Sequence, residues 1–193
     1  ETFAENAALK ARAIFDATEN SAVLADDSGL VVDALNGEPG VYSARYGGLG
    51  SDAERSAYLL EKMQGVADEN RTARFMCCIH FVNADGSEIS VQGKCEGKIG
   101  YEPTGENGFG YDPMFYVPDI DMTFGQADSE VKHKMSHRYH ALKKLADFVE
   151  KVLPFVKTSD ANVRNDVSQG IKDYKTQNPI VEPKKEPVVN IEP

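Results

Sequence analysis

Asp26 and Asp27 are adjacent acids between two apolar runs, in Leu24-Ala25-Asp26-Asp27-Ser28-Gly29-Leu30. Ser21 to Ala25 and Leu30 to Val32 read as short buried strands, which puts the acids and Gly29 at a sheet edge or in a bend between them. A carboxylate held there has two chemical uses. It can ligate a hard cation such as Mg²⁺ through oxygen, or take a proton from an attacking water. Asp, Ser and Gly also form turns, so an acidic hairpin bend uses the same residues, and the neighbours must decide.

Three other groups carry chemistry. Asn6 and Lys10 lie one helical turn apart on a common flank, where one ligand can touch both. Glu102 to Pro113 is dense in Gly, Pro and Asn, and Phe109 and Tyr111 alternate with glycines in Gly108-Phe109-Gly110-Tyr111-Asp112-Pro113. Glycines beside aromatics let a planar ligand approach the backbone while a ring covers its face; an aromatic plug over the loop is the alternative. Lys132, His137 and Arg138 read as donors near a helix N-terminus, where anions are favoured. His133 and His137 have zinc-like spacing, but no H-E-x-x-H glutamate accompanies them and Ser136 interrupts the helix between them.

The elements that must position these groups are visible in the pattern. Thr2 to Glu5 is a capping box, and Phe3, Ala7, Ala8, Ala11, Ile14 and Phe15 continue it as a helix. Ser51 to Glu54 is a second box, continued by Ala57, Leu60 and Met63 as far as Gly65. Thr72 to Val82 is rich in β-formers and predicts a strand, turned by Asn83 to Gly86 into a return strand from Ile89 to Cys95; His80 reads as a packed or edge histidine. Ser129 to Met135 reads as a short helix, and Ser136 caps a longer one from His137 to Val152 with Ala141, Leu142, Leu145, Phe148, Val149 and Val152 on its buried side.

Composition bounds the class. The chain has 193 residues, 41% hydrophobic and 27% charged, as in a soluble globular domain. A net charge of −10 disfavours general nucleic-acid binding, and the sequence contains no apolar run of about 18 residues to span a membrane. Cys77, Cys78 and Cys95, an odd count in apparent strands, read as reduced buried thiols and hence a cytoplasmic compartment. Five of the nine prolines lie from Pro154 onward, and that stretch carries six basic and six acidic residues, so the whole −10 belongs to residues 1–153. We therefore read 1–153 as the working domain and 154–193 as a Pro- and charge-rich linker or disordered tail.

Taken together, five motifs resemble the inosine triphosphate pyrophosphatase family, the Ham1/RdgB-like non-canonical purine NTP pyrophosphatases. They are Thr2 to Ala11, Ala25 to Leu30, Pro39 to Tyr46, Gly108 to Pro113 and Ser136-His137-Arg138, in the family's order. The resemblance implies an α/β fold with a long mixed sheet flanked by helices, two lobes with a nucleotide cleft, and a homodimer. It implies Mg²⁺-dependent hydrolysis of ITP, dITP or XTP to a nucleoside monophosphate and pyrophosphate. By motif, Asp27 is the metal ligand and general base and Asp26 its supporting neighbour. Lys10 reaches the phosphates, Ser28 touches substrate, Phe109, Gly110, Tyr111 and Asp112 form the base pocket, and Lys132, His137 and Arg138 complete the contacts.

The family's Ser/Thr-x-Asn-x-x-Lys phosphate loop and the strand before it precede the point where this chain starts, at Glu1. We therefore expect an N-terminally truncated domain with an exposed sheet edge. A nucleotide-binding or scaffold protein without catalysis is the alternative reading.

Overall fold

The computed structural model describes residues 2–18, 21–152, 172–173, 176–177 and 179–180. Most of the predicted tail, 154–193, lies outside the described residues. Helices α1 (Phe3–Ala17), α2 (Asp52–Lys62), α3 (Ser129–Met135) and α4 (His137–Val152) accompany strands β1 (Val23–Val32), β2 (Thr72–Val82), β3 (Glu88–Ile99), β4 (Phe115–Val117) and β5 (Met122–Thr123). The strands form one sheet in the order β1-β2-β3-β4-β5. The fold is α/β, a sheet with helices, as expected; β3 with β4 and β4 with β5 pair antiparallel, with Lys98 opposite Tyr116 and Tyr116 opposite Thr123.

Both capping boxes form. Thr2 and Glu5 exchange side-chain and backbone bonds of 2.9 and 3.1 Å at the start of α1, and Ser51 and Glu54 do the same for α2 at 3.0 and 3.2 Å. They satisfy amides that a helix start otherwise leaves open. Ser136 separates α3 from α4 and accepts the Tyr139 amide at 3.2 Å.

The predicted bend at Asp26 to Gly29 is not there. β1 runs unbroken from Val23 to Val32, so the acids are strand residues. Turn preference is local, whereas ladder pairing with β2 holds the whole strand, and the longer-range bonds win. β1 is the first strand of the sheet order, which places the acids on an edge strand as the sequence allowed. Three helical faces are also rotated from their predicted phase. Ile14 and Leu142 are half exposed, and α2 buries Ser56 and Leu59, followed by Met63, while Ala57 is exposed.

The chain forms two compact units. Among described residues, the first gathers those up to Ser28, Met76–Cys95 and those from His133 onward; the second gathers Gly29–Phe75 and Glu96–Lys132.

The first unit packs a helix on each face of its strands. Cys77, Ile79, Ile89 and Val91 meet Ala141, Leu145 and Phe148 of α4, whereas Ala11 of α1 packs with Val23 and Val82. Residues alternate across a strand, so odd positions of β2 serve α4 and even ones serve α1. Gly93 allows α4 to close: a Cβ there would lie 2.2 Å from the His137 carbonyl oxygen and 2.3 Å from the Ala141 nitrogen. Buried His80 stands 2.7 Å from Ser90 Oγ and 2.6 Å from Glu88 Oε2, and Arg12 of α1 holds that same carboxylate at 2.7 Å. All three cysteines are buried and free of disulfides.

The second unit centres on Phe75, Phe115 and Phe124, with Phe115 centroids 4.5 Å from Phe75 and 5.5 Å from Phe124. Arg71 is buried and donates to the carbonyls of Ile99 and Gly100 at 2.8 Å and of Met63 at 3.1 Å, tying the end of β3 to the turn after α2.

Candidate functional site

In the first unit the structure brings Asp26, Asp27 and Ser28 of β1 together with Asn6 and Lys10 of α1 and Arg138 of α4. Lys10 Nζ lies 2.5 Å from Asp27 Oδ1 and also donates to the Asp26 carbonyl at 3.1 Å. Asn6 Nδ2 donates to the other oxygen, Asp27 Oδ2, at 3.1 Å. The Asp26 carboxylate has different partners: its Oδ2 accepts from Ser28 Oγ at 2.9 Å and from Arg138 Nε at 3.1 Å, with the Cys77 thiol 4.0 Å away. Successive residues of a strand point to opposite faces, so Asp27 addresses α1 and Asp26 addresses α4. Burial, followed by the Asp26 charge among the causes that raise it, pushes the Cys77 thiol up to about 11. His137, the first residue of α4, is buried with Nε2 3.4 Å from Arg138 Nη1.

The second unit holds the aromatic loop. Phe109 is exposed (64%), while Tyr111 and Asp112 are buried. Asp112 Oδ2 accepts the Phe109 amide at 2.8 Å and pairs with the Lys132 ammonium, which also lies 4.6 Å from the Phe109 ring centroid, in cation–π range. The Gly110 amide donates to Asp52 Oδ2 at 2.7 Å, and Tyr111 Oη donates to the Ser43 carbonyl at 2.9 Å. Burial pushes the Tyr111 hydroxyl up to about 12. Lys132, grouped with His137 and Arg138 in the sequence reading, is thus the ion-pair partner of Asp112 and the cation beneath Phe109.

The acid cluster can be tested for a cation. Among described residues no three His, Cys, Asp or Glu side chains converge as a metal cage, so the zinc alternative has no ligand set there. Mg²⁺ needs no such cage: it uses one or two carboxylates, water and substrate phosphates. Asp27 fits that mode, with a largely buried carboxylate (15% exposed) already neutralised by a cation. The donor set suits an ion shared with a phosphate ligand and carried by Asp27 alone, because Asp26 serves the other face.

Asn6 joins Lys10 on Asp27, in keeping with the shared helical flank read from their spacing. Asp52, Ser43 and Cys77 complete these clusters without having been assigned a site role from the sequence. Asp52 is hidden inside a capping box, 58 residues from the amide it accepts.

The first unit thus carries a cation-paired carboxylate on the edge strand of an α/β sheet, and the second carries an exposed aromatic loop. Residues 1–148 match the model of the Ham1 family, and the chain belongs to that family. It is 51% identical over 157 residues to the dITP/XTP pyrophosphatase of Exiguobacterium sp., covering 81% of this chain and 77% of that one. It is 51% identical over 146 residues to the dITP/XTP pyrophosphatase of Thermus thermophilus, covering 76% and 70%. The Staphylococcus aureus Ham1 protein structure superposes with a TM-score of 0.74 at 46% identity, covering 78% of this chain and 77% of that one. No helix among the described residues is long and apolar enough to cross a membrane.

Proposed function

We propose that this chain hydrolyses non-canonical purine nucleoside triphosphates, dITP, ITP and XTP, to the nucleoside monophosphate and pyrophosphate. The carrying observation is the Asp27 carboxylate held between Lys10 and Asn6, in a chain about half identical to two dITP/XTP pyrophosphatases. Asp27 accepts the proton of the water that attacks phosphorus, and the α–β phosphoanhydride bond breaks as pyrophosphate leaves. Lys10 exchanges its contact with Asp27 for the phosphates. Mg²⁺, carried by Asp27 and the phosphate oxygens, would supply charge neutralisation on the phosphates. Asp26, bonded to Ser28 and Arg138, orients those two donors toward the nucleotide.

Phe109 stacks on the base, with Gly110, Tyr111, Asp112 and Lys132 shaping the loop under it and His137 and Arg138 offering donors. Donors at the purine 6-position favour a keto oxygen over the amino group of adenine, because a mismatch leaves a buried donor unpaired. We read the protein as a cytoplasmic homodimer; three buried free thiols suit a reducing compartment.

The test is Mg²⁺-dependent pyrophosphate release from dITP and XTP, with dATP and dGTP as controls. Selective release from dITP and XTP is expected. Nucleotide binding without release would favour the non-catalytic alternative.

A further inference from the structure

Each of the two peptide units flanking Phe109 is fixed by a carboxylate from a different place in the second unit. The N–H of Phe109 itself goes to Asp112, four-square within the loop, at 2.8 Å. The N–H of the following peptide, at Gly110, goes to Asp52 at 2.7 Å. Asp52 is the first residue of α2, and its other oxygen is paired with Arg55 one turn on, whose guanidinium also donates to the Leu49 carbonyl at 3.0 Å. The Gly110 N–H, followed after the opposing effect of burial by Arg55, holds the Asp52 carboxyl below its usual range, so at neutral pH the acceptor is charged and the bond charge-assisted. Gly110 itself has φ +61 and open space where a Cβ would stand, so its own packing does not hold the loop there.

We infer that Asp52 is a positioning residue for base recognition: it locks the peptide after Phe109 so that the exposed ring is presented in one orientation to a purine face. An exposed side chain between two glycines has little packing to order it, and ordering it at the moment of binding would cost affinity. The two carboxylate clamps place that cost in folding. Asp112 holds the loop from within, its carboxylate accepting the Phe109 amide and its own amide donating to the Phe109 carbonyl at 3.2 Å, whereas Asp52 anchors that second peptide from outside the loop, through the shorter, charge-assisted bond to its N–H. Arg55 in turn orients Asp52, so the chain of control runs from α2 to the loop. This inference rests on the proposed stacking role of Phe109.

The sequence contains no tryptophan. Phe109→Trp therefore introduces a single tryptophan at the stacking position, excited selectively at the red edge where the eight tyrosines do not absorb, and titration with inosine monophosphate reports stacking as quenching. In that background, Asp52→Ala is expected to raise the half-quenching concentration about tenfold, the order expected from losing one charge-assisted hydrogen bond. Asp52→Asn keeps an acceptor oxygen for Gly110 and is expected to stay within about threefold of the parent. Independently, in the unaltered protein the Gly110 amide proton should titrate with the Asp52 carboxyl in acid, and this signal should vanish in Asp52→Ala. Circular dichroism melts establish that each variant folds. Identical quenching curves with and without Asp52→Ala, given saturable quenching in the parent, overturn the positioning role while leaving Phe109 stacking intact. Absence of quenching in the parent overturns the stacking reading and this inference with it.

Discussion

Two neighbouring carboxylates in one strand hold different cations on different faces, and the proposed function uses that separation to give them different work. Asp27 faces Lys10 and Asn6, while Asp26 faces Ser28 and Arg138. If Asp27 takes the proton, Asp27→Asn removes the acceptor and should lower kcat by about 100-fold or more. Asp26→Asn keeps an oxygen for Ser28 and Arg138 and should act mainly through KM, by about tenfold. Steady-state kinetics on dITP separate the two, and equal losses of kcat in both variants would remove the distinction. At this scale the acids were legible as a chemical pair because their type and apolar flanks are local. Their division of labour was not. It depends on β1 being continuous, and the Asp-Asp-Ser-Gly composition argues locally for a bend. The Lys132–Asp112 and Asp52–Gly110 partnerships were equally hidden, since 20 and 58 residues separate their members.

Among elements, those with chemical boundary markers were legible in advance. Thr2 and Ser51 with their glutamates, and Ser136 between α3 and α4, announce helix starts because each satisfies amides within one turn. The faces of the helices were less legible: Ile14 and Leu142 match the apolar period yet stay half exposed, because periodicity sets the spacing of a stripe and the neighbouring strand sets its centre. What positions α4, and with it His137 and Arg138, is backbone contact at Gly93. Gly93→Ala would push a methyl into the His137 carbonyl and the Ala141 amide, neither of which is a flexible side-chain end. The expected cost is about 3 kcal/mol of stability. In a variant that still folds, α4 must lift, so the Arg138 to Asp26 bond should lengthen or break in its crystal structure. A melting temperature within about two degrees of the parent would show that α4 does not press on β3 as described.

For the molecule as a whole, two electrostatic arguments point to opposite pH optima. With a net charge of −10 and an isoelectric point near 4.9, self-repulsion alone would make the protein most stable when mild acid has neutralised it. Individual carboxylates argue the other way. Arg12, then His80 against some burial, holds Glu88 below its usual range, and the Gly110 amide does the same for Asp52. Burial pushes Glu38 and Asp85 up, but Lys62 with Tyr46 and the Ser87 hydroxyl and amide outweigh it, so both end low. A carboxyl whose folded pKa is depressed contributes stability that is complete above its unfolded value, about 4, and is lost as pH falls through the folded one. Protonating these groups breaks bonds that bridge α1 to β3 in the first unit and α2 to its loops in the second. The exposed charges behind the −10 are screened over about 8 Å at physiological salt, whereas the paired ones act at contact. The pairs should therefore win. At 0.15 M salt the melting temperature should be highest near neutrality and fall steadily from about pH 5 to pH 3. Glu88→Gln should flatten part of that fall, having already given up the charge that acid removes. A melting temperature that peaks near pH 4.9 would mean that relief of repulsion dominates and that these ion pairs contribute little to holding the fold.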